Sequence, residues 1–165
     1  MSFETLRINV AQLLKEPVGS SRSYHIEEHP SEDDISYIDG DIILIRANSS
    51  IIVNGKMTAS IKAVCSRCLK PIEAKVSFEF EEEAYPIGEE GSSSNVLCDN
   101  LSIDDGNVLD LSEAVRQYAL LTLPAKPLCR LDCAGICPTC GHNLNQEPCQ
   151  CHSNAIDPRW SKLIR

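Results

Sequence analysis

Eight of the nine cysteines in this 165-residue chain stand in four close pairs: Cys65 with Cys68, Cys129 with Cys133, Cys137 with Cys140, and Cys149 with Cys151. From Cys129 onward the spacing reads C-x3-C-x3-C-x2-C-x8-C-x-C, and the remaining C-x2-C pair lies about sixty residues upstream. Thiols paired this way suit Zn2+, which takes four sulfur or nitrogen ligands at the corners of a tetrahedron in a structural site. Four pairs make two such sites and leave Cys98 over. Iron accepts the same four-thiolate knuckles, so ligand type alone does not choose between the two metals. A hydrolytic zinc keeps an open fourth position, usually with His or carboxylate ligands and a general base nearby. Here sulfur closes both sites, which makes their expected role structural and leaves no catalytic residue to assign.

Chain reach suggests the partners. The eight residues between Cys140 and Cys149 close a compact loop at low entropic cost, which groups Cys137, Cys140, Cys149 and Cys151. Cys65 and Cys68 then share a second metal with Cys129 and Cys133, a long-range site whose binding energy is also folding energy. Other arrangements stay open. Cys129 and Cys133 could join Cys137 and Cys140, and His142 or His152 could replace one sulfur of the tight C-x-C pair. Gly141, directly after Cys140, fits the left-handed backbone position at the end of a knuckle turn.

Compartment and charge narrow the partners. The opening residues 1–7 have no basic stretch followed by an apolar one, and no segment approaches eighteen uninterrupted apolar residues. A cytoplasmic protein without a membrane role is expected, and reduced cytosolic thiols favour metal over disulfides. The net charge of -9 is unevenly spread. Residues 126–165 hold five Lys/Arg against three Asp/Glu, while residues 61–125 hold five against twelve. Each tetrathiolate zinc site would add a local charge of about -2. Wrapping a phosphate backbone over a broad cationic face is therefore disfavoured for the whole chain, though a local basic patch is not.

The elements that must carry these cysteines follow from hydrophobic period. Residues 8–14 suggest a short helix stopped before Pro17. The apolar run Ile42, Ile43, Leu44, Ile45 suits a buried strand with its turn at residues 48–50. Residues 51–63 and 72–80 alternate with period two, as strands with one wet face do. The Cys65–Cys68 knuckle falls between them, at a hairpin tip where backbone N–H groups can stabilise sulfur charge. Residues 88–95, polar and rich in Gly and Ser, read as a mobile loop. Asp110 followed by Glu113 signals the start of a helix near residues 111–123, which Pro124 and Pro127 end. The expected fold is α+β: an antiparallel β-sheet meander with one main helix, and a C-terminal four-cysteine segment resembling a zinc ribbon. Residues 1–125 form the core, and residues 126–165 form a metal-binding tail docked on the 65–68 knuckle.

Several stretches together resemble the YceD family: Cys65-Ser-Arg-Cys68-Leu, Pro124-Ala-Lys-Pro127-Leu-Cys129, Cys133-Ala-Gly135-Ile-Cys137-Pro-Thr-Cys140-Gly141-His-Asn-Leu-Asn, and Asp157-Pro158-Arg159-Trp160 with Leu163. The likeness spans roughly residues 40–165 in order and spacing. It implies a non-enzymatic bacterial or plastid factor for the accumulation and processing of large-subunit (23S) ribosomal RNA, working in ribosome assembly.

A ribosomal role must coexist with a pI near 4.9. Candidates for direct RNA contact are Arg67 and Lys70 at the hairpin tip, Lys126 and Arg130 beside Cys129, and Arg159, Lys162 and Arg165 at the end. These charges could instead offset thiolate charge. An acidic body offers a second route, by meeting a basic large-subunit ribosomal protein. No small-molecule substrate is expected. The rival reading is a thiol redox protein, or a redox-switched zinc chaperone, using Cys65 and Cys68. Redox C-x-x-C pairs generally begin a helix whose dipole lowers the thiol pKa, whereas this pair lies between two strands.

Overall fold

The computed structural model describes residues 6–30, 34–87 and 101–151. The chain divides into two compact units. The first comprises residues 1–63 and 73–125, and the second comprises residues 64–72 and 126–165.

The first unit is built on a sheet of seven strands: β1 (Arg7–Asn9), β2 (Ser21–Glu28), β3 (Ile35–Arg46), β4 (Ile51–Val64), β5 (Pro71–Pro86), β6 (Ser102–Ile103) and β7 (Val108–Asp110). Their spatial order is β1-β7-β6-β5-β4-β3-β2. The β2–β3, β3–β4, β1–β7 and β6–β7 pairs are antiparallel. The connection from β4 to β5 is too short for the crossover that parallel neighbours need. The sheet departs from an all-antiparallel meander at β6, which runs parallel to β5 with Tyr85 opposite Ser102. The chain leaves β5 at Pro86 and returns at Ser102, which gives it room to re-enter in the same direction.

Alternation explains most of the core. On β4, Ile51, Val53, Met57, Ala59 and Ile61 are buried, and on β5 Val76, Phe78 and Phe80 are. The run on β3 splits by the same rule: Ile42 and Leu44 are fully buried, while Ile43 is 41% exposed, so this strand has one wet face. Ile35 and Ile38 are both buried despite their odd spacing, because the register of β3 against β4 shifts between Ile35 and Tyr37 and changes the phase of the alternation. Gly55 lies under the Phe80 ring, where any Cβ would collide with it.

Residues 8–14 do not form the expected helix. Arg7–Asn9 is a strand paired with Val108–Asp110, and only Leu13–Lys15 winds, as a single 3-10 turn. The strand wins because Ile8 is buried opposite Leu109, an inward pair that a helix would break. β2 was not expected at all. It is an edge strand whose one buried residue is Ile26, so its sequence carries almost no apolar signal.

Helix α1 (Ser112–Thr122) buries Ala114, Val115 and Ala119. Leu111, not Asp110, is its N-cap, and Asp110 Oδ1 accepts from Ser112 N at 2.9 Å. Glu113 pairs forward with Gln117 and Arg116, so it does not close a capping box. Leu123 is already extended at φ -61°, ψ 129°, as the residue before a proline prefers. Tyr118 stacks on Phe80 with ring centroids 5.2 Å apart and donates its hydroxyl to Glu82, which fixes α1 on β5. No described helix is long and apolar enough to cross a membrane.

Candidate metal centres

The second unit holds all eight paired cysteines. Its first group begins in the turn after β4. Cys65 N donates to Lys70 O at 2.9 Å and Leu69 N to Cys65 O at 3.0 Å, closing the knuckle, with Leu69 left-handed at φ 59°. Ser66 N donates to Pro127 O at 2.8 Å, and Arg67 Nη1 donates to Cys133 O at 2.9 Å. These bonds bring the 129–133 segment onto the knuckle. Gly135, at φ +77°, sits where a Cβ would press on the Arg67 carbonyl.

The result places Cys65, Cys68, Cys129 and Cys133 with their sulfurs within 4.8 Å of one another. Cys65 Sγ lies 3.8 Å from Cys133 Sγ, and Cys68 Sγ lies 3.6 Å from Cys129 Sγ. A tetrahedron of sulfurs about 2.3 Å from a central zinc has edges of about 3.8 Å, so the spacing fits such an ion. Three of the four are buried, while Cys129 reaches solvent. Cys65 is 0% exposed, Cys133 2% and Cys68 7%, with Ile72 and Leu128 packed against them.

Electrostatics favour the same occupant. The backbone N–H of Cys68, followed by those of Arg67 and Cys129, pulls the Cys65 thiol down to about 6 against the cost of its burial. Burial, then hydrogen bonding to the sulfurs of Cys133, Cys68 and Cys65, pushes the Cys129 thiol up to about 12. One sulfur is thus prepared for charge while another resists it, and a dication at the centre would let all four ionise.

The second group unites Cys137, Cys140, Cys149 and Cys151, again within 4.8 Å. Cys137 N donates to His142 O at 2.8 Å, Gly141 N to Cys137 O at 2.9 Å, and Ile136 bridges Asn143. Gly141 has φ +72°, the left-handed conformation anticipated for it. N–H groups of Cys140 and Thr139 draw the Cys137 thiol down to about 6. The Cys140 sulfur, then burial, raises Cys151 to about 12. This group is wetter: Cys137 is buried, Cys149 half-buried, and Cys140 and Cys151 exposed.

The eight cysteines therefore fall into the two sets that loop closure suggested, and the mixed pairing of Cys129 and Cys133 with Cys137 and Cys140 does not occur. His142 contributes its backbone carbonyl and is not a member of the four-residue set. His152 and Cys98 lie outside the described residues, as do the 88–95 loop, Arg159, Lys162 and Arg165. Of the other basic candidates, Arg67 bonds Cys133 O, Arg130 bonds Asn145 and Asp132, and Lys70 and Lys126 are exposed. Sequence reasoning missed Asn145, whose amide reaches the Cys133 sulfur. It closes the Cys133–Asn145 stretch that carries the family resemblance, but nothing in that stretch says which sulfur its amide meets.

Two sets of four thiols, one of them on a turn between strands, define a class of protein with paired cysteine knuckles, each of which could hold a metal ion. Comparison with known proteins makes the assignment specific. The family described as large ribosomal RNA subunit accumulation protein YceD matches residues 53–164, a span that includes most of β4, all of β5 and all eight paired cysteines, and the chain belongs to that family. An uncharacterized protein of Mycobacterium tuberculosis is 32% identical over 133 residues, covering 80% of this chain and 63% of that one. A Mycobacterium bovis protein gives the same figures, and one from Mycobacterium leprae is 32% identical over 127 residues, 74% of this chain and 56% of its own. The chain thus spans about 63% of the length of the first of these relatives. No solved structure matches it.

Proposed function

We propose that this chain is a zinc-stabilised, non-enzymatic factor for accumulation and processing of 23S ribosomal RNA, acting in the cytoplasm during large-subunit assembly by binding RNA or a basic ribosomal protein. Family membership supplies the ribosomal link. The observation that carries the molecular reading is the four-sulfur set of Cys65, Cys68, Cys129 and Cys133, three of them buried, whose spacing matches a closed tetrahedral site with no position left for substrate. In this reading each set holds one Zn2+, and residues 126–165 form a tail clasped to the 65–68 knuckle. The second set, with its single Ile136–Asn143 bridge, serves as a reduced zinc ribbon. Arg67, Lys70, Lys126 and Arg130, together with Arg159, Lys162 and Arg165, are the cations that would meet phosphate. The acidic remainder would meet a basic protein instead.

Crosslinking to RNA in cells, followed by sequencing, tests the RNA route. Enrichment of 23S fragments over a mock sample supports it, and recovery at mock level leaves only the protein partner. Measuring 23S ribosomal RNA in depleted cells, with and without a Cys65→Ala/Cys68→Ala copy, tests the role itself, and unchanged RNA on depletion would refute it.

The low pKa of Cys65 favours one second reading, a thiol redox protein or redox-switched zinc chaperone. Against it, this sulfur is fully buried and lies in a four-sulfur set between strands. Peroxide that oxidises Cys65 and Cys68 and releases metal at low dose would favour that alternative.

A further inference from the structure

Asn145 belongs by sequence to the loop between Cys140 and Cys149, yet its side chain serves the other cysteine set. Its Nδ2 donates to Cys133 Sγ at 3.3 Å and to Asn143 Oδ1 at 2.8 Å. Its Oδ1 accepts from Ala134 N and from Arg130 Nη2, each at 2.8 Å. Two donors on the oxygen side settle the amide orientation, so an N–H is the group that meets sulfur. The loop beneath is tied to the segment between the two sets by Leu144 N, which donates to Gly135 O at 3.0 Å, and is braced within itself by Asn145 N, which donates to Asn143 Oδ1 at 3.0 Å.

From this geometry we infer that Asn145 is a positioning residue that couples the two metal centres. The inference rests on the zinc reading given above. Closing the Cys137/Cys140/Cys149/Cys151 loop around one ion holds Asn145 where its amide steadies the Cys133 thiolate at the other. A thiolate bound to metal keeps much of its negative charge, and a fixed N–H donor stabilises that charge and orients the sulfur lone pairs. Without the second ion, the loop must be ordered at its own entropic cost before it can present the donor. Because binding linkage is reciprocal, filling the Cys65/Cys68/Cys129/Cys133 site also anchors the loop and tightens the second site. The two ions therefore bind with positive cooperativity, and Asn145 carries the coupling.

The test uses Co2+ titration of the full chain, in which the cobalt–thiolate absorption reports the sulfur environment directly. Asn145→Asp keeps an oxygen for Ala134 and Arg130 but sets a carboxylate oxygen, not an N–H, against Cys133. We expect it to weaken Co2+ at the first site by about 10- to 100-fold and to shift the sulfur-to-cobalt band, as loss of an outer-shell partner does. Cys137→Ser/Cys140→Ser, which removes the second site, should weaken the first in the wild-type background. It should have little further effect when combined with Asn145→Asp, a non-additivity read as a double-mutant cycle. Should the combined variant fail to fold, stepwise filling of the single variant answers the same question, because cooperative filling in the wild type must become independent in Asn145→Asp. Additive losses, an unshifted band, or an unchanged first-site affinity would each overturn the coupling while leaving two metal sites standing. Wild-type protein that binds fewer than two Co2+ would instead overturn the zinc reading itself.

Discussion

Arg67 and Cys133, 66 positions apart, are joined by a hydrogen bond from the arginine Nη1 to the cysteine carbonyl at 2.9 Å. The bond holds the knuckle to the 129–133 segment through the main chain, independently of sulfur. A charge-assisted bond of this kind contributes about 1.5–3 kcal/mol when its acceptor is shielded from water. Arg67→Ala should therefore speed the loss of metal to a competing chelator, with both cysteine sets chemically intact. Chelator kinetics indistinguishable from wild type would show that the contact is incidental. The same variant bears on RNA binding, since a fall in crosslinking would have to be separated from a loosened knuckle.

The grouping of sulfurs predicts a metal count. Cys65→Ala/Cys68→Ala leaves two ligands at the first site and four at the second, so elemental analysis should fall from two equivalents of zinc to about one. Two retained equivalents would show that Cys129 and Cys133 find other partners.

The contact between Gly55 and Phe80 predicts a stability effect in the other unit. Gly55→Val places a branched side chain where the Phe80 ring lies, and overpacking of this sort costs about 1–3 kcal/mol. Urea unfolding should show the loss, and Phe80→Leu in the same chain should recover part of it by vacating the space. A Gly55→Val protein as stable as wild type would mean that the ring moves aside freely.

His25 gives a pH prediction. Its Nδ1 lies 3.0 Å from Asp41 Oδ1 and its Nε2 3.6 Å from Asp39 Oδ1, with Glu27 adding to the negative field, and the Asp41 hydrogen bond raises its pKa above the ordinary 6.5. A raised histidine stabilises the fold in its protonated form. That contribution is complete below the unfolded value of 6.5 and is lost as pH climbs through the folded value. An NMR titration should place the His25 midpoint above 6.5 and return it toward 6.5 in Asp41→Asn. A wild-type midpoint at or below 6.5 would disprove the pairing.

Much of this fold was legible because its strands alternate. Ile51, Val53, Met57 and Ile61 on β4, and Val76, Phe78 and Phe80 on β5, sit at period two and mark both the strands and their inner face. Helix α1 announced itself through its cap region and the prolines after it. What escaped was non-local. The β1–β7 pairing joins residues about a hundred apart, and nothing in Arg-Ile-Asn specifies such a partner. β2 escaped because an edge strand needs only Ile26 inside, and β6 because two residues carry no period. In the cysteine-rich unit, spacing and loop length indicated which thiols meet. The polar groups that steady them, Arg67 and Asn145, stand inside the quoted motifs, but their roles are not legible there because they depend on where the backbone brings a carbonyl or a sulfur.

The 68 positions between Cys65 and Cys133 also set a timetable for the newborn chain. A ribosome adding roughly 5–20 residues per second needs several seconds to travel from one to the other. Throughout that interval the first two thiols are already made while the sulfurs they end up beside are still untranslated. Each copy therefore passes through a window in which a half-built clasp is open to oxidants and stray ions, and its yield should depend on how reducing its surroundings are while it is being made.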